Sequence, residues 1–334
     1  MHTRTLGTTL FTLSLCTACT GAGPGPDAGM PVAFKAISFN TGTSEGMGHD
    51  DPPDDGYGEV QAGYSDLYYG DGLAWQAVVD DVRAFLDVEQ PDIIGFQEMF
   101  FSDDCANIPA EARTGFVCET WSAGDRTVAN VILGEGYRVA CHQEKNDKCV
   151  AVKKDFASIP GCDDDLCLSA LDGFRVDGCG SGSRVGRTRL TLDDASELTV
   201  VHVHGSSGMT ADDMDCRRRQ FEQIWVDFGD GAPAADGDVN LILGDFNTDP
   251  GRLAGADPSA DEILKHVGTN KPFDFLNDVG EAVTGTYAGL FNIDHAISDA
   301  LTGSCESAGI DGRENVSAVR YFDHKPLICA LSMP

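Results

Sequence analysis

Six strand-like runs of this chain each end in a residue suited to metal or proton chemistry. Gly244-Asp245-Phe246-Asn247 directly follows the apolar run Val239-Asn240-Leu241-Ile242-Leu243, which places a carboxylate and a carboxamide at the end of a buried strand. Asn40 closes the run 33–39, Glu98 follows 92–97, and His204 ends 198–203. Asp294 follows 291–293, and Asp323-His324 follows 318–322. Ligands gather at strand ends in α/β proteins, where a rigid sheet holds polar groups in place. Read alone, each residue is a turn former, a surface acid or a packed imidazole. Read together, the carboxylates suit a hard divalent cation and the imidazoles suit proton transfer, and one site could collect them all.

The elements that must position these residues alternate between strand-like and helix-like, as in a layered α/β fold. Trp75, Val78, Val79, Val82, Phe85 and Leu86 recur at helical spacing, and Pro91 ends that helix. Thr210 and Asp213 fit a capping box ahead of Met214, Arg217, Phe221, Ile224, Trp225 and Phe228 on one helical face. The segment 42–72, rich in Gly, Asp and Tyr, has no period and is expected to be a loop at the site mouth. Short strands are expected near 137–140 and 149–152, and Arg184, Arg187 and Arg189 are expected on a strand before His204. His202 shares a strand face with His204 but lies deeper and reads as a packed or supporting histidine. His295 reads as structural, and His49, His142 and His266 carry no signal.

In chain order, Ser38-Phe39-Asn40, Gln97-Glu98, Val203-His204, Gly244-Asp245-Phe246-Asn247, Ile293-Asp294-His295 and Phe322-Asp323-His324-Lys325-Pro326-Leu327 resemble the motifs of the endonuclease/exonuclease/phosphatase, or DNase I-like, superfamily. Arg219-Gln220 and Thr286-Tyr287 are softer matches. The resemblance spans roughly Val32 to Leu331 and implies a four-layer α/β sandwich, two packed mixed β-sheets flanked by helices. It implies Mg²⁺ or Mn²⁺ held by Glu98 with Asp323 and Asn40. It implies His324 as the main catalytic imidazole, oriented by Asp294, with His204 on the other side of the phosphate. Asp245 and Asn247 would face the nucleophile; whether Asp245 activates water or binds metal stays open. One of Arg184, Arg187 and Arg189, not selected by alternation, is a candidate to reach substrate phosphate. No Gly-x-Ser-x-Gly elbow, Gly-Lys-Ser/Thr phosphate loop or His-Glu-x-x-His competes with this set.

At 334 residues, with motifs spread from Asn40 to His324, the chain reads as one catalytic domain over 32–334. Arg4 and the apolar stretch 6–15 read as an export leader over 1–18, too short for a permanent membrane span. Thr17-Ala18-Cys19 resembles a lipoprotein cleavage site that would acylate Cys19 on a Gly/Pro-rich linker, 19–31. Cys16 departs from that pattern, so free secretion competes with anchoring in a bacterial cell envelope. Ten cysteines follow Cys19, an even number that reads as up to five disulfides in an exported protein. Neighbours suggest Cys105–Cys118, Cys141–Cys149, Cys162–Cys167, Cys179–Cys216 and Cys305–Cys329, with the connectivity left open. A zinc site is disfavoured because no Cys-x-x-Cys lies beyond Cys19. Asp and Glu total 54 against 23 Lys and Arg, a net charge of −31 that repels polyanions. The dense basic cluster Arg217-Arg218-Arg219 reads as a solvated helix face paired with acids. The expected substrate is therefore a phosphodiester, either a phospholipid headgroup or nucleic acid, handled by a monomer with no protein partner. The competing reading is a non-catalytic surface-binding lipoprotein on the same scaffold.

Overall fold

The computed structural model describes residues 31–43, 56–307 and 321–334. The leader, Cys19, the His49-Asp50-Asp51 cluster and residues 318–320 lie outside the described residues. Thirteen strands are described in chain order. They are β1 (Val32–Asn40), β2 (Ile93–Gln97), β3 (Tyr137–His142), β4 (Lys145–Lys153), β5 (Ala157–Ser158), β6 (Leu166–Leu171) and β7 (Val185–Leu192). After them come β8 (Glu197–His204), β9 (Asn240–Asp245), β10 (Asp274–Phe275), β11 (Asp294–Ser298), β12 (Thr302–Ser307) and β13 (Leu327–Met333). The helices are α1 (Glu59–Tyr64), α2 (Gln76–Glu89), α3 (Val128–Leu133), α4 (Ala211–Trp225), α5 (Pro250–Leu253) and α6 (Pro258–His266).

The strands form a seven-stranded sheet, β12-β13-β1-β2-β4-β3-β6, and a six-stranded sheet, β10-β11-β9-β8-β7-β5. Both are mixed: β1 runs parallel to β2 and antiparallel to β13, and β9 runs parallel to β8 and antiparallel to β11. Because successive side chains of a strand face opposite ways, the apolar runs feed two cores each. Ala36, Ile93 and Val150 of the first sheet meet Val200, Leu241 and Leu243 of the second in a core between the sheets. The alternate residues Ile37, Phe39, Ile94 and Phe96 pack outward against Val78, Val82 and Leu86 of α2. On the far side Val201, Val203 and Ile242 pack against Phe221 and Ile224 of α4 and Ile263 of α6. The result is the expected four layers, helix, sheet, sheet, helix.

Three local expectations change. The segment 42–72 is not wholly loop, since α1 and a π-helical turn, Ser65–Tyr69, occupy its second half. Ala62 and Tyr69 bury one side of that segment, a sparse pattern that carries no readable period. The run 291–293 is not a strand that ends at Asp294, and Tyr321 and Phe322, the described end of the run 318–322, belong to no strand that ends at Asp323-His324. Instead β11 begins at Asp294 and β13 begins just after His324. Antiparallel strands start at the edge where their neighbours finish, so these residues still arrive at the ends of β9 and β1.

All five suggested cysteine pairs are formed. Cys141–Cys149 and Cys305–Cys329 join adjacent strands, and Cys179–Cys216 ties the segment before β7 to α4. Five disulfides suit an oxidising environment. Among the described residues, no helix is long and apolar enough to cross a membrane.

Candidate active site

The polar residues meet at the seam where the two sheets end together. Asn40 finishes β1, and its Nδ2 donates to Asp245 Oδ2 at the end of β9, 3.0 Å away, so the first sheet touches the second. Asp245 is almost fully buried and also accepts from the Asn247 backbone N–H at 2.7 Å and the Asn247 side chain at 3.0 Å. Asn247 makes that reach from a left-handed backbone, φ 52°, a conformation in which Asn is enriched among non-glycine residues. Burial raises the Asp245 pKa to about 7, against the pull of His324.

Glu98 follows β2 in the left-handed region too, φ 58°. Such a backbone costs about 1–3 kcal/mol and persists only where its surroundings hold it. Here Thr41 supplies the hold, donating its N–H to Gln97 O at 2.9 Å and its hydroxyl to Glu98 O at 3.2 Å. A methyl group on Gly42 would lie 1.8 Å from Glu98 Oε2 and 3.1 Å from Asn40 Oδ1, so these two oxygens converge where glycine leaves room. Burial raises the Glu98 pKa to about 7, with His324 opposing the rise and Asp323 and Asp245 adding to it.

His324 is buried, and its Nδ1 donates to Asp294 Oδ2 at 2.8 Å. Burial lowers the imidazole pKa, but the charges of Asp294 and Asp245 and the Asp294 hydrogen bond outweigh it and carry it up to about 10. His324 is thus an imidazolium at neutral pH. Its Nε2 lies 3.7 Å from Asp245 Oδ2 and 3.9 Å from Asp323 Oδ1. Tyr287 packs its ring 5.1 Å from the imidazole, and Ala288 N–H holds Asp323 O at 2.7 Å. Thr286 Oγ1 accepts from the Asp294 N–H at 3.1 Å. The softer Thr286-Tyr287 match therefore lies against the site.

His204 closes the opposite wall. Its Nε2 lies 3.6 Å from both Glu98 Oε1 and Asp245 Oδ2, and its buried Nδ1 has no hydrogen-bond partner among the described residues. Burial, then the nearby charges of Lys148 and Arg184, keep this imidazole neutral. Burial, supported by Asp294, raises the Asp323 pKa despite His324, and its Oδ1 has no hydrogen-bond partner among the described residues. All eight residues singled out in the sequence are therefore brought together.

Two arrangements of these oxygens suit a metal. Asp245, Asp294 and His324 each present one ligand atom within 4.8 Å of the others, a group that can hold an ion. Asp294 and His324 are, however, already bonded to each other there. Glu98 and Asn40 offer oxygens that converge beside Gly42, and Asp323, whose charge acts on Glu98, has a buried oxygen with no hydrogen-bond partner among the described residues; oxygen donors are what a hard cation selects.

Of the other polar residues, Arg217 departs from its expected place. Arg217 is not on a solvated face: it is fully buried, bonded to Asp257 at 2.7 Å, Ser259 at 2.8 Å and the carbonyls of Ser206 and Gly208. Arg218 pairs with Asp215 and Glu222, and Arg219 with Asp215, as expected of a paired face. Arg187 pairs with Asp230 at 2.8 Å and more loosely with Asp236, and Arg189 pairs with Asp236. His295 is buried against Asn277, and His266 stacks on Trp225. His142, which carried no sequence signal, is fully buried against His202. The feature that reveals it is a glycine on another strand, Gly186, where an added Cβ would strike the ring, and no local pattern announces that.

No family model matches the sequence, and no curated protein matches it. Solved structures do match in fold. The human Nocturnin catalytic domain, solved with a bound sulfate anion, is 12% identical, with 90% of this chain and 94% of that one covered at a TM-score of 0.52. An endonuclease/exonuclease/phosphatase from Beutenbergia cavernae is 12% identical, with 90% of this chain and 72% of that one covered at a TM-score of 0.50. Two mixed sheets packed between helices, with the motif residues gathered at their common edge, give this chain a DNase I-like fold.

Proposed function

We propose that the protein is an exported, divalent-metal-dependent phosphodiesterase. The observation that carries this reading is the convergence of Glu98, Asp323 and Asn40 with His204, Asp245 and the Asp294–His324 pair at one strand edge. Glu98 and Asp323, with the Asn40 oxygen, would hold Mg²⁺ or Mn²⁺. A bound cation would offset the charge growing on the phosphate and its leaving oxygen.

The remaining chemistry belongs to the chain. His324, kept protonated by Asp294, donates its Nε2–H to a phosphate oxygen and stabilises the added negative charge. Asp245, with its pKa near neutrality, takes the proton from the attacking water. Asn247 and Asn40 fix the Asp245 carboxylate, and Asn247 is itself held by the Gly205 carbonyl at 3.1 Å. His204, neutral and buried, contacts the phosphate from the far wall. Attack and departure are in line, between the Asp245 side and the Glu98 side.

The electrostatics favour a substrate other than a long polyanion. The net charge is −31, and the arginines of α4 are already paired with carboxylates. A groove of about 550 Å³ opens beside Glu98, with Asp104, Glu144 and Asp147 among its walls against one described cation, Lys145, together with Tyr68 and Phe101. A continuing phosphate backbone would meet more carboxylates than cations there, so a phospholipid headgroup fits better than nucleic acid. Export rests on the leader and the five disulfides, and anchoring at Cys19 on the sequence of the leader. The test is incubation of the purified protein with sphingomyelin, phosphatidylinositol phosphates, plasmid DNA, RNA and a generic diester, in Mg²⁺ or EDTA, beside His324→Ala. Mg²⁺-dependent turnover of the lipid, lost in His324→Ala, is expected. Turnover of nucleic acid alone would reject the substrate assignment, and inertness toward all of them would reject the enzyme.

A further inference from the structure

Below the site, a chain of buried polar groups crosses from one sheet to the other. His202, two residues before His204 on β8, lies between two side chains of the opposite sheet. Its Nε2 is 2.5 Å from Gln97 Nε2 on β2, and its Nδ1 is 2.8 Å from His142 Nε2 on β3. His142 Nδ1 in turn lies 3.4 Å from the Ser183 carbonyl. All three side chains are fully buried. One assignment of protons satisfies every contact: the Gln97 amide donates to His202 Nε2, His202 Nδ1–H to His142 Nε2, and His142 Nδ1–H to Ser183 O. That assignment requires both imidazoles to be neutral.

The surrounding sequence is cut to fit this chain. A Cβ at Gly95 would lie 2.7 Å from the His202 ring, and one at Gly186 would lie 2.6 Å from the His142 ring. Polar groups in a sheet-to-sheet core offer no stability advantage over apolar residues of the same volume. What they add is direction: apolar packing fills space at high density, whereas hydrogen bonds between fixed donors and acceptors also favour one spacing and one register.

Its position gives that spacing a use. Gln97 is the last residue of β2 and immediately precedes Glu98; His202 and His204 share the face of β8 that looks toward the first sheet. The Glu98–His204 separation of 3.6 Å therefore spans the same two strands that the Gln97–His202 bond ties together. We infer that Gln97, His202 and His142 are positioning residues, a brace that sets the distance between the metal-holding side of the site and its imidazole side. This inference rests on the proposed function for its catalytic readout but not for its metal-binding readout.

The test compares the parent protein with Gln97→Met, which keeps the volume and removes the donor, and with His202→Leu and His202→Gln, the last of which keeps a hydrogen-bonding group for Gln97. Three quantities are measured on each: Mn²⁺ affinity by calorimetry, kcat and KM on the best substrate, and the urea midpoint. Loss of a group that orients a metal ligand typically weakens metal affinity or activity about 10–100-fold. Gln97→Met and His202→Leu are expected to lose Mn²⁺ affinity and kcat in that range, with KM little changed and the urea midpoint kept. His202→Gln is expected to recover most of the loss. Parent-like affinity and kcat in a folded Gln97→Met protein would overturn the inference, as would equal losses in His202→Gln and His202→Leu. If Gln97→Met does not fold, the two His202 variants decide. If the parent binds Mn²⁺ but turns over no ester, the enzymatic reading fails and the affinities alone judge the brace. A parent that binds no Mn²⁺ overturns both.

Discussion

His324 Nδ1 donates to Asp294 Oδ2 at 2.8 Å, joining the residues that precede β13 in one sheet and open β11 in the other. The charge of Asp294, its bond and the nearby charge of Asp245 together make a buried imidazole cationic at neutral pH, and that imidazole is a source of positive charge toward a phosphate. Replacing Asp294 with Asn keeps the shape and removes the charge. Asp294→Asn is expected to lower kcat by about 10²–10⁴-fold, the usual worth of a positioned acid–base group. The same variant changes the response to pH. With its folded pKa raised from 6.5 to about 10, His324 contributes stability that is fully present below pH 6.5 and is lost as pH rises through about 10. Urea midpoints of EDTA-treated protein, measured from pH 6.5 to 10, should show a decline in the parent that is largely absent in Asp294→Asn.

Gly42 provides a sharper steric test. Its missing side chain leaves the space into which Glu98 Oε2 projects, so Gly42→Ala must displace the carboxylate. Mn²⁺ affinity and activity are expected to fall more than about tenfold, the scale of a disturbed ligand. Circular dichroism should be unchanged. Gly63→Ala is the control, because a methyl there meets nothing within 4 Å and lies in α1. It should retain full affinity.

Arg217 and its neighbours separate buried from exposed charge. Arg217→Met leaves the Asp257 carboxylate buried without its cation, and is expected to cost about 3–5 kcal/mol of stability. Arg218→Ala and Arg219→Ala break half-exposed pairs worth about 0–1 kcal/mol each. Equilibrium urea unfolding of the three variants checks the contrast. Because Arg217 also binds the Ser206 and Gly208 carbonyls beyond His204, its loss should lower kcat as well, while the other two should not.

The sequence made the candidate site residues legible because each follows or precedes a short apolar run, and a strand end needs only local pattern to be seen. It misassigned the run before Asp294 because an apolar stretch has the same composition whether it enters a strand or lies beside one, and the described Tyr321-Phe322 before Asp323 likewise lie beside a strand. Direction along the sheet is a tertiary property, set by pairing with β9 and β1. Arg217 was misread for a related reason: three consecutive arginines point in three directions around a helix, and only packing against α6 decides which is inside. The cross-sheet contacts of His142 and His202 had no local signature at all, since the partners are 60 residues apart and the space is supplied by glycines on other strands. The cysteine pairs were accessible because the shortest loops close first, at separations of 5, 8 and 13 residues, leaving few alternatives for the rest.

The central claim is that water, activated beside Asp245, attacks a phosphorus held between Glu98 and His324. Hydrolysis of a phosphodiester in ¹⁸O-labelled water with Mg²⁺, followed by mass spectrometry of both products, tests it directly. One labelled oxygen in the phosphate-bearing product and none in the released alcohol is the predicted result. Label in the alcohol, or release of both products without any label in the phosphate, would contradict it.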